Sequence, residues 1–231
     1  MGNVILECAG QKIERFNEIG FHYNLVADQV HRKHSALKSP FDKPFLRYII
    51  AGLISFDMGR GGMMGDKPYE MKGDHFASRL SSKLKVLKPL LKPLTNATLT
   101  QISLQEHRGV ITRSYNTLSV GREDGGNDAL HEKGKKFHVG ATKILHFLNP
   151  NLFIIVDSNA ARAFQLAHNM PFRNTTQPGY SAEKYMKCME YAQADILAYG
   201  LDKFKALEPD VPVTRIYDKL TFVTGHDLGQ K

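Results

Sequence analysis

The chain has 231 residues, 42% of them hydrophobic and 23% charged, which is long enough for one large domain or two small lobes with a sizeable core. Its formal net charge of +8 and isoelectric point of about 9.4 favour polyanionic partners, nucleic acid ahead of anionic membrane. Two cysteines, Cys8 and Cys188, argue against a disulfide framework and for a reducing cytoplasm, and the longest apolar runs, YIIAGLI and LFIIV, fall short of the roughly 20 residues that span a bilayer.

In chain order, Ile13, Phe16, Ile19, Tyr23, Val26 and Val30 recur in steps of three and four and predict one amphipathic helix over 11–33, with Gly20 inside it. The turn-rich connector HSALKSPFDKP leads to a second helix over 44–57, with Pro44 in its first turn and Asp42 as N-cap. FLRYIIAGLISF is apolar nearly all round, which predicts a helix at the centre of the core. Residues 58–73 carry five glycines and a proline and read as a long loop, with Arg60 as its residue of interest. No Gly-Lys-Ser/Thr follows these glycines, so the loop is not a phosphate loop of that kind.

A third helix is expected from Asp74, with Phe76, Leu80, Leu84 and Leu87 inward and Pro89 and Pro93 bending or ending it. Lys85, Lys88 and Lys92 share another face, with Arg79 and Lys83 beside it: either a phosphate-contacting ridge or a solvated helix face. Ser103 and Glu106 have capping-box spacing and predict a helix over 103–120, before the glycine-rich GREDGGND, a crossing point near 121–129 if the single α-helical domain has two lobes. GATKILHFL reads as an apolar helix ending at the Asn149-Pro150 turn, LFIIV as a short extended segment, and Asp157 as the N-cap of the helix that follows. After the connector 169–180, Ser181 caps a long helix to about Tyr199, with Tyr185, Cys188, Met189, Ala192 and Ile196 inward and Gly200 terminating it. TRIYDKLTFVTG closes the fold, with Arg215, Asp218 and Lys219 at ion-pair spacing. About eight helices and no strand ladder make the class mainly α.

The ten histidines form no HExxH or Cys/His cluster; His31 and His34 share a helix face without an acidic partner nearby in sequence. No metal or other cofactor is expected.

One stretch carries a family resemblance. His138-Val139-Gly140, then ATKILHFL, then IIVDSNAARAF resembles the helix-hairpin-helix DNA glycosylase superfamily. In that pattern a Gly-hydrophobic-Gly hairpin enters a helix, and a short apolar segment leads to an aspartate opening the next helix as Asp-Gly-Asn-Val-x-Arg. Asp157, Asn159 and Arg162 fall on its Asp, Asn and Arg. His138 stands where the pattern has its first glycine, the span from Gly140 to Asp157 is shorter, and two cysteines cannot supply a four-cysteine iron–sulfur cluster. The resemblance implies a multi-helix protein that binds double-stranded DNA, with Asp157 as the essential carboxylate. Lys143 is the nearest residue to the lysine that attacks the sugar in bifunctional members, although it comes one position later.

The chemistry so implied is release of a flipped-out base. A carboxylate at a helix N-terminus stabilises positive charge developing on the deoxyribose or activates the nucleophile, and an amine would form a Schiff base with the sugar. The backbone N–H groups at Gly140 would hold a phosphate. Lys136, Arg162, Arg60, Lys85 and Lys88 complete the expected nucleic-acid contacts, with Arg173 and Tyr180 as further candidates to line the cleft. The plainer alternatives are a helix cap for Asp157, an exposed helical lysine for Lys143, and a surface or packed histidine for His146. On those readings the chain is a non-catalytic nucleic-acid-binding or protein-interaction module, or an α-helical family of its own.

Overall fold

In the computed structural model, which describes residues 3–36, 40–56, 64–65, 75–125, 127–172 and 180–229, the helix expected over 11–33 is broken at Gly20. The Gly20 N–H donates to the Phe16 carbonyl at 2.7 Å, and a β-carbon there would come 2.8 Å from the Phe16 ring. The glycine therefore ends α1 (Ala9–Ile19), and α2 (Phe21–Ala36) starts afresh.

The remaining helices are α3 (Lys43–Ser55), α4 (Phe76–Leu91), α5 (Arg108–Ser119), α6 (His138–Leu148), α7 (Ser158–His168), α8 (Ala182–Tyr199), α9 (Leu201–Lys205) and α10 (Val213–Leu228). The fold is mainly α, and no β-ladder occurs among the described residues. No helix among them is long and apolar enough to cross a membrane. Asp42 and Pro44 open α3 as expected by position, although the Asp42 side chain makes no capping hydrogen bond. Asp74 lies outside the described residues. The predicted start at Ser103 is corrected: the Glu106 N–H does reach Ser103 Oγ, at 3.5 Å, but α5 begins only at Arg108. Gln193 is the physical reason, because its Nε2 donates to the Leu99 and Ile102 carbonyls at 2.5 and 2.9 Å and holds the preceding chain in turns.

The chain forms two compact units. One comprises Met1–Phe21, Ala97–Arg108 and Pro150–Lys231; the other comprises His22–Asn96 and Gly109–Asn149, and so contains the glycine-rich stretch 121–129. In the first unit α10 packs on α7 and α1. Phe16 of α1 meets Phe222 edge-on, with centroids 5.3 Å apart, and lies under the Arg215 guanidinium and the Lys219 ammonium. Ser181 caps α8 through the Lys184 N–H at 3.2 Å, and Tyr185, Cys188, Met189, Ala192 and Ile196 are all buried.

In the second unit α3 packs on α4 and α6. The central helix is α6 rather than α3, which corrects the expectation. Every residue from Gly140 to Leu148 is buried, whereas α3 keeps Lys43, Pro44 and Arg47 exposed. Gly52 makes the α3–α6 approach possible: a β-carbon there would lie 2.7 Å from the Phe147 ring.

Candidate functional site

The segment LFIIV is fully buried in the first unit and belongs to no helix or strand. Its backbone polar groups, and those just before it, are served from elsewhere, as buried backbone requires. Thr214 Oγ1 donates to the Pro150 carbonyl, the Leu99 N–H donates to the Asn151 carbonyl at 2.9 Å, and the Tyr185 hydroxyl donates to the Ile154 carbonyl at 3.1 Å. This anchored run delivers Asp157, half-buried, to the start of α7. Asp157 has extended backbone, and its Oδ1 accepts the Ala160 N–H at 2.9 Å. It is therefore an N-cap whatever else it does.

The first turn of α7 is braced from two sides. Arg162 Nη1 donates to Asn159 Oδ1 at 3.0 Å. At Gly225 the backbone of α10 presses against the same turn, so close that a β-carbon would fall 1.9 Å from the Asn159 carbonyl oxygen. Asp157, Asn159 and Arg162 thus sit on one short, rigid stretch. Arg162 is half-buried, and its Nε has no hydrogen-bond partner among the described residues.

The residues expected around the hairpin lie in the second unit. Phe137 occupies the N-cap position of α6 and His138 is its first residue. Gly140 is buried in the first turn, and a β-carbon there would fall 1.9 Å from the Phe137 ring, which gives this glycine a packing reason. Lys136, just before the helix, is exposed and 3.4 Å from Asp124 Oδ2. His138 accepts or donates a 3.0 Å hydrogen bond between Nδ1 and the Tyr115 hydroxyl. Burial, and then the neighbouring Lys136, lower its pKa to about 4 against the opposing pull of Asp124 and Glu123.

Lys143 is not an exposed helical lysine: it is 4% accessible. Its Nζ donates to the Phe56 carbonyl at 3.2 Å and lies 4.6 Å from the centre of the Phe56 ring. The ammonium is thus held by a carbonyl and a π-face, which offset part of the cost of its burial. His146, one turn on, is completely buried, its Nε2 3.2 Å from that of His31. That distance requires one ring to donate and the other to accept.

The lysine ridge on α4 is narrower than its sequence suggests. Arg79 and Lys83 turn inward: Arg79 pairs with Glu132 at 2.5 Å and Lys83 pairs with Asp128. Lys85, Lys88 and Lys92 are exposed and make no ion pair among the described residues. Arg60 and Arg173 lie outside the described residues. Tyr180 packs against Phe172, ring centroids 5.9 Å apart. Arg215 and Asp218 form the expected pair, buried, while Lys219 turns to Glu208 at 2.6 Å.

One constellation escaped the sequence pattern. In the first unit Asp195 Oδ2 accepts from the Tyr217 hydroxyl at 2.5 Å and lies 2.9 Å from His168 Nε2. The imidazole of His168 stacks on Tyr191 with centroids 4.1 Å apart, at the wall of a cavity of about 340 Å³ that Arg108, Lys184 and Lys187 also line. His168, Asp195 and Tyr217 come from three helices with no shared spacing, so only the fold brings them together. Burial first, and then Asp195, push the Tyr217 pKa well up, and the two hydrogen bonds to Asp195 tie α7, α8 and α10 together. Models of known protein families, curated proteins and solved structures yield no match to this chain.

Proposed function

We propose that the chain binds DNA and hydrolyses the bond between a base and its sugar, with Asp157 as the carboxylate at the reacting carbon. One observation carries this reading. A fully buried, non-helical run leads to Asp157 at the mouth of α7, and the Asn159–Arg162 contact follows within the same helix, in the order of the glycosylase pattern. On this reading the C1′–N bond breaks with its electron pair leaving on the base. Negative charge at Asp157 stabilises the cationic sugar, and water adds to C1′ as its proton passes to the carboxylate and from there, through solvent, to the departed base. In the second unit the exposed Lys85, Lys88 and Lys92 offer phosphate contacts of their own, which add affinity without reading sequence.

The burial of Lys143 sharpens the proposal, because an amine bonded to a backbone carbonyl beneath an aromatic ring is not presented to a sugar. The reaction is accordingly hydrolysis without a Schiff base. A second reading, DNA binding without chemistry, draws on the fact that Asp157 Oδ1 is already engaged by the Ala160 N–H.

Duplexes carrying uracil, 8-oxoguanine, an alkylated base or an abasic site separate the two. The enzyme reading expects base release that leaves an intact abasic site, cut only after alkali, with no adduct trapped by borohydride. Asp157→Asn keeps a capping oxygen and is expected to lose release while retaining stability and duplex affinity. Binding without release on any substrate favours the second reading, and no duplex binding at low salt removes both.

A further inference from the structure

The exposed face of α3 in the second unit carries a concentration of charge that the proposed reaction does not use. Lys43, Pro44, Arg47, Tyr48 and Ala51 follow one another at helical spacing and line an open cavity of about 640 Å³. Tyr48 is half-buried there. Lys33, exposed on α2, has its Nζ 5.7 Å from the centre of the Tyr48 ring. Lys33, Lys43 and Arg47 make no ion pair among the described residues, although Asp42 precedes the cluster.

We infer that this face is a second nucleic-acid site, one that takes an unpaired nucleotide: the base stacks on Tyr48 while Lys33, Lys43 and Arg47 meet the flanking phosphates. The inference rests on the reading that the protein binds nucleic acid. An aromatic ring set among cations is the combination that holds single strands, because every base has a π-face and every nucleotide a phosphate. A paired base in a duplex has both faces covered by its neighbours, so it cannot reach a ring that sits in a concavity. A lipid surface fits less well, since among the described lining residues only Pro44 and Ala51 are aliphatic groups that could enter the acyl layer. Lys33 already lies near the ring as a cation–π partner, and its exposed stem lets it swing to a phosphate at little cost.

Fluorescence anisotropy with labelled oligothymidylate and a hairpin duplex tests the site in the full chain. Tyr48→Leu is expected to weaken oligothymidylate binding about tenfold, Tyr48→Phe to leave it unchanged, and neither to alter duplex affinity. The double change Lys43→Gln, Arg47→Gln, made at exposed positions, is expected to reduce the slope of log affinity against log salt on oligothymidylate by about 1.4. The inference is overturned if folded Tyr48→Leu binds oligothymidylate like the wild type and the slope is unmoved. It is also overturned if Tyr48→Leu weakens duplex and single strand equally, or if the basic changes abolish sedimentation with phosphatidylserine vesicles but spare oligothymidylate. Wild-type binding to the duplex with these negative outcomes would defeat this site alone; binding to neither nucleic acid would defeat the reading on which it rests.

Discussion

His138 shows how a single side chain can carry a pH dependence that its sequence position does not announce. In the folded protein burial and Lys136 hold the imidazole neutral down to about pH 4, against an ordinary value of 6.5. Between those values the unfolded chain binds a proton that the folded chain does not, so stability falls as the pH drops from about 6.5 to about 4 and is fully present above that window. His138→Gln keeps a hydrogen-bond partner for the Tyr115 hydroxyl and removes the titration. Thermal unfolding from pH 7.5 to 4 is therefore expected to show a wild-type midpoint that falls more steeply than the variant's; parallel curves would refute the assignment. Lys143 is the other residue whose setting the sequence concealed. Helical spacing placed it beside His146, but nothing in ATKILHFL says that α6 is enclosed on every side, because three polar side chains, Thr142, Lys143 and His146, interrupt its apolar pattern. Asp157 was more legible, since an acid ahead of a small-residue run reads as a cap from sequence alone, and its Oδ1 is one.

Helices whose ends carry side-chain caps and whose inward faces repeat regularly were readable; those ended by tertiary contacts were not. Ser181 and Gly200 bound α8 as its sequence suggests, whereas the start of α5 depends on Gln193, which lies far along the chain. Gly225 belongs with the second kind. It lies inside α10, which continues to Leu228. The glycine is there because the α10 backbone rests against the carbonyl of Asn159. A methyl group at 225 must push back a backbone atom, which cannot move aside as a side-chain tip can. Gly225→Ala is expected to cost about 1–3 kcal/mol or more, as overpacking does, and to disturb the first turn of α7. The measurement is the denaturation midpoint together with duplex base release, and an unchanged midpoint would remove the claim of backbone contact. A loss of stability with full base release would show that the α7 turn tolerates the shift without moving Asp157.

The first unit draws its helices from both ends of the chain, a property that local periodicity cannot reveal because it arises from pairing between distant segments. α1 lies against α10. Ala9, Ile13 and Phe16 are buried by it, the Phe16 ring lies under Arg215 and Lys219, and Arg15 pairs with Asp227 at 2.9 Å. Burying Ile13 and Phe16 alone is worth about 3–6 kcal/mol, comparable to the whole stability of many domains, about 5–15 kcal/mol. The exposed Arg15–Asp227 pair adds little to that. Deleting residues 1–20 also strands Lys219, which donates to Asn17 as well as to Glu208, over a surface that α1 no longer covers. The deletion is therefore expected to loosen α10 and α7 first, with Asp157 among the residues released. Hydrogen exchange read by segment is the measurement: protection should fall across 158–168 and 213–228 by far more than across 76–91 and 138–148. Equal loss in both sets would mean that the two units unfold as one cooperative body, and unchanged protection in α10 would mean that α1 contributes little of the burial assigned to it.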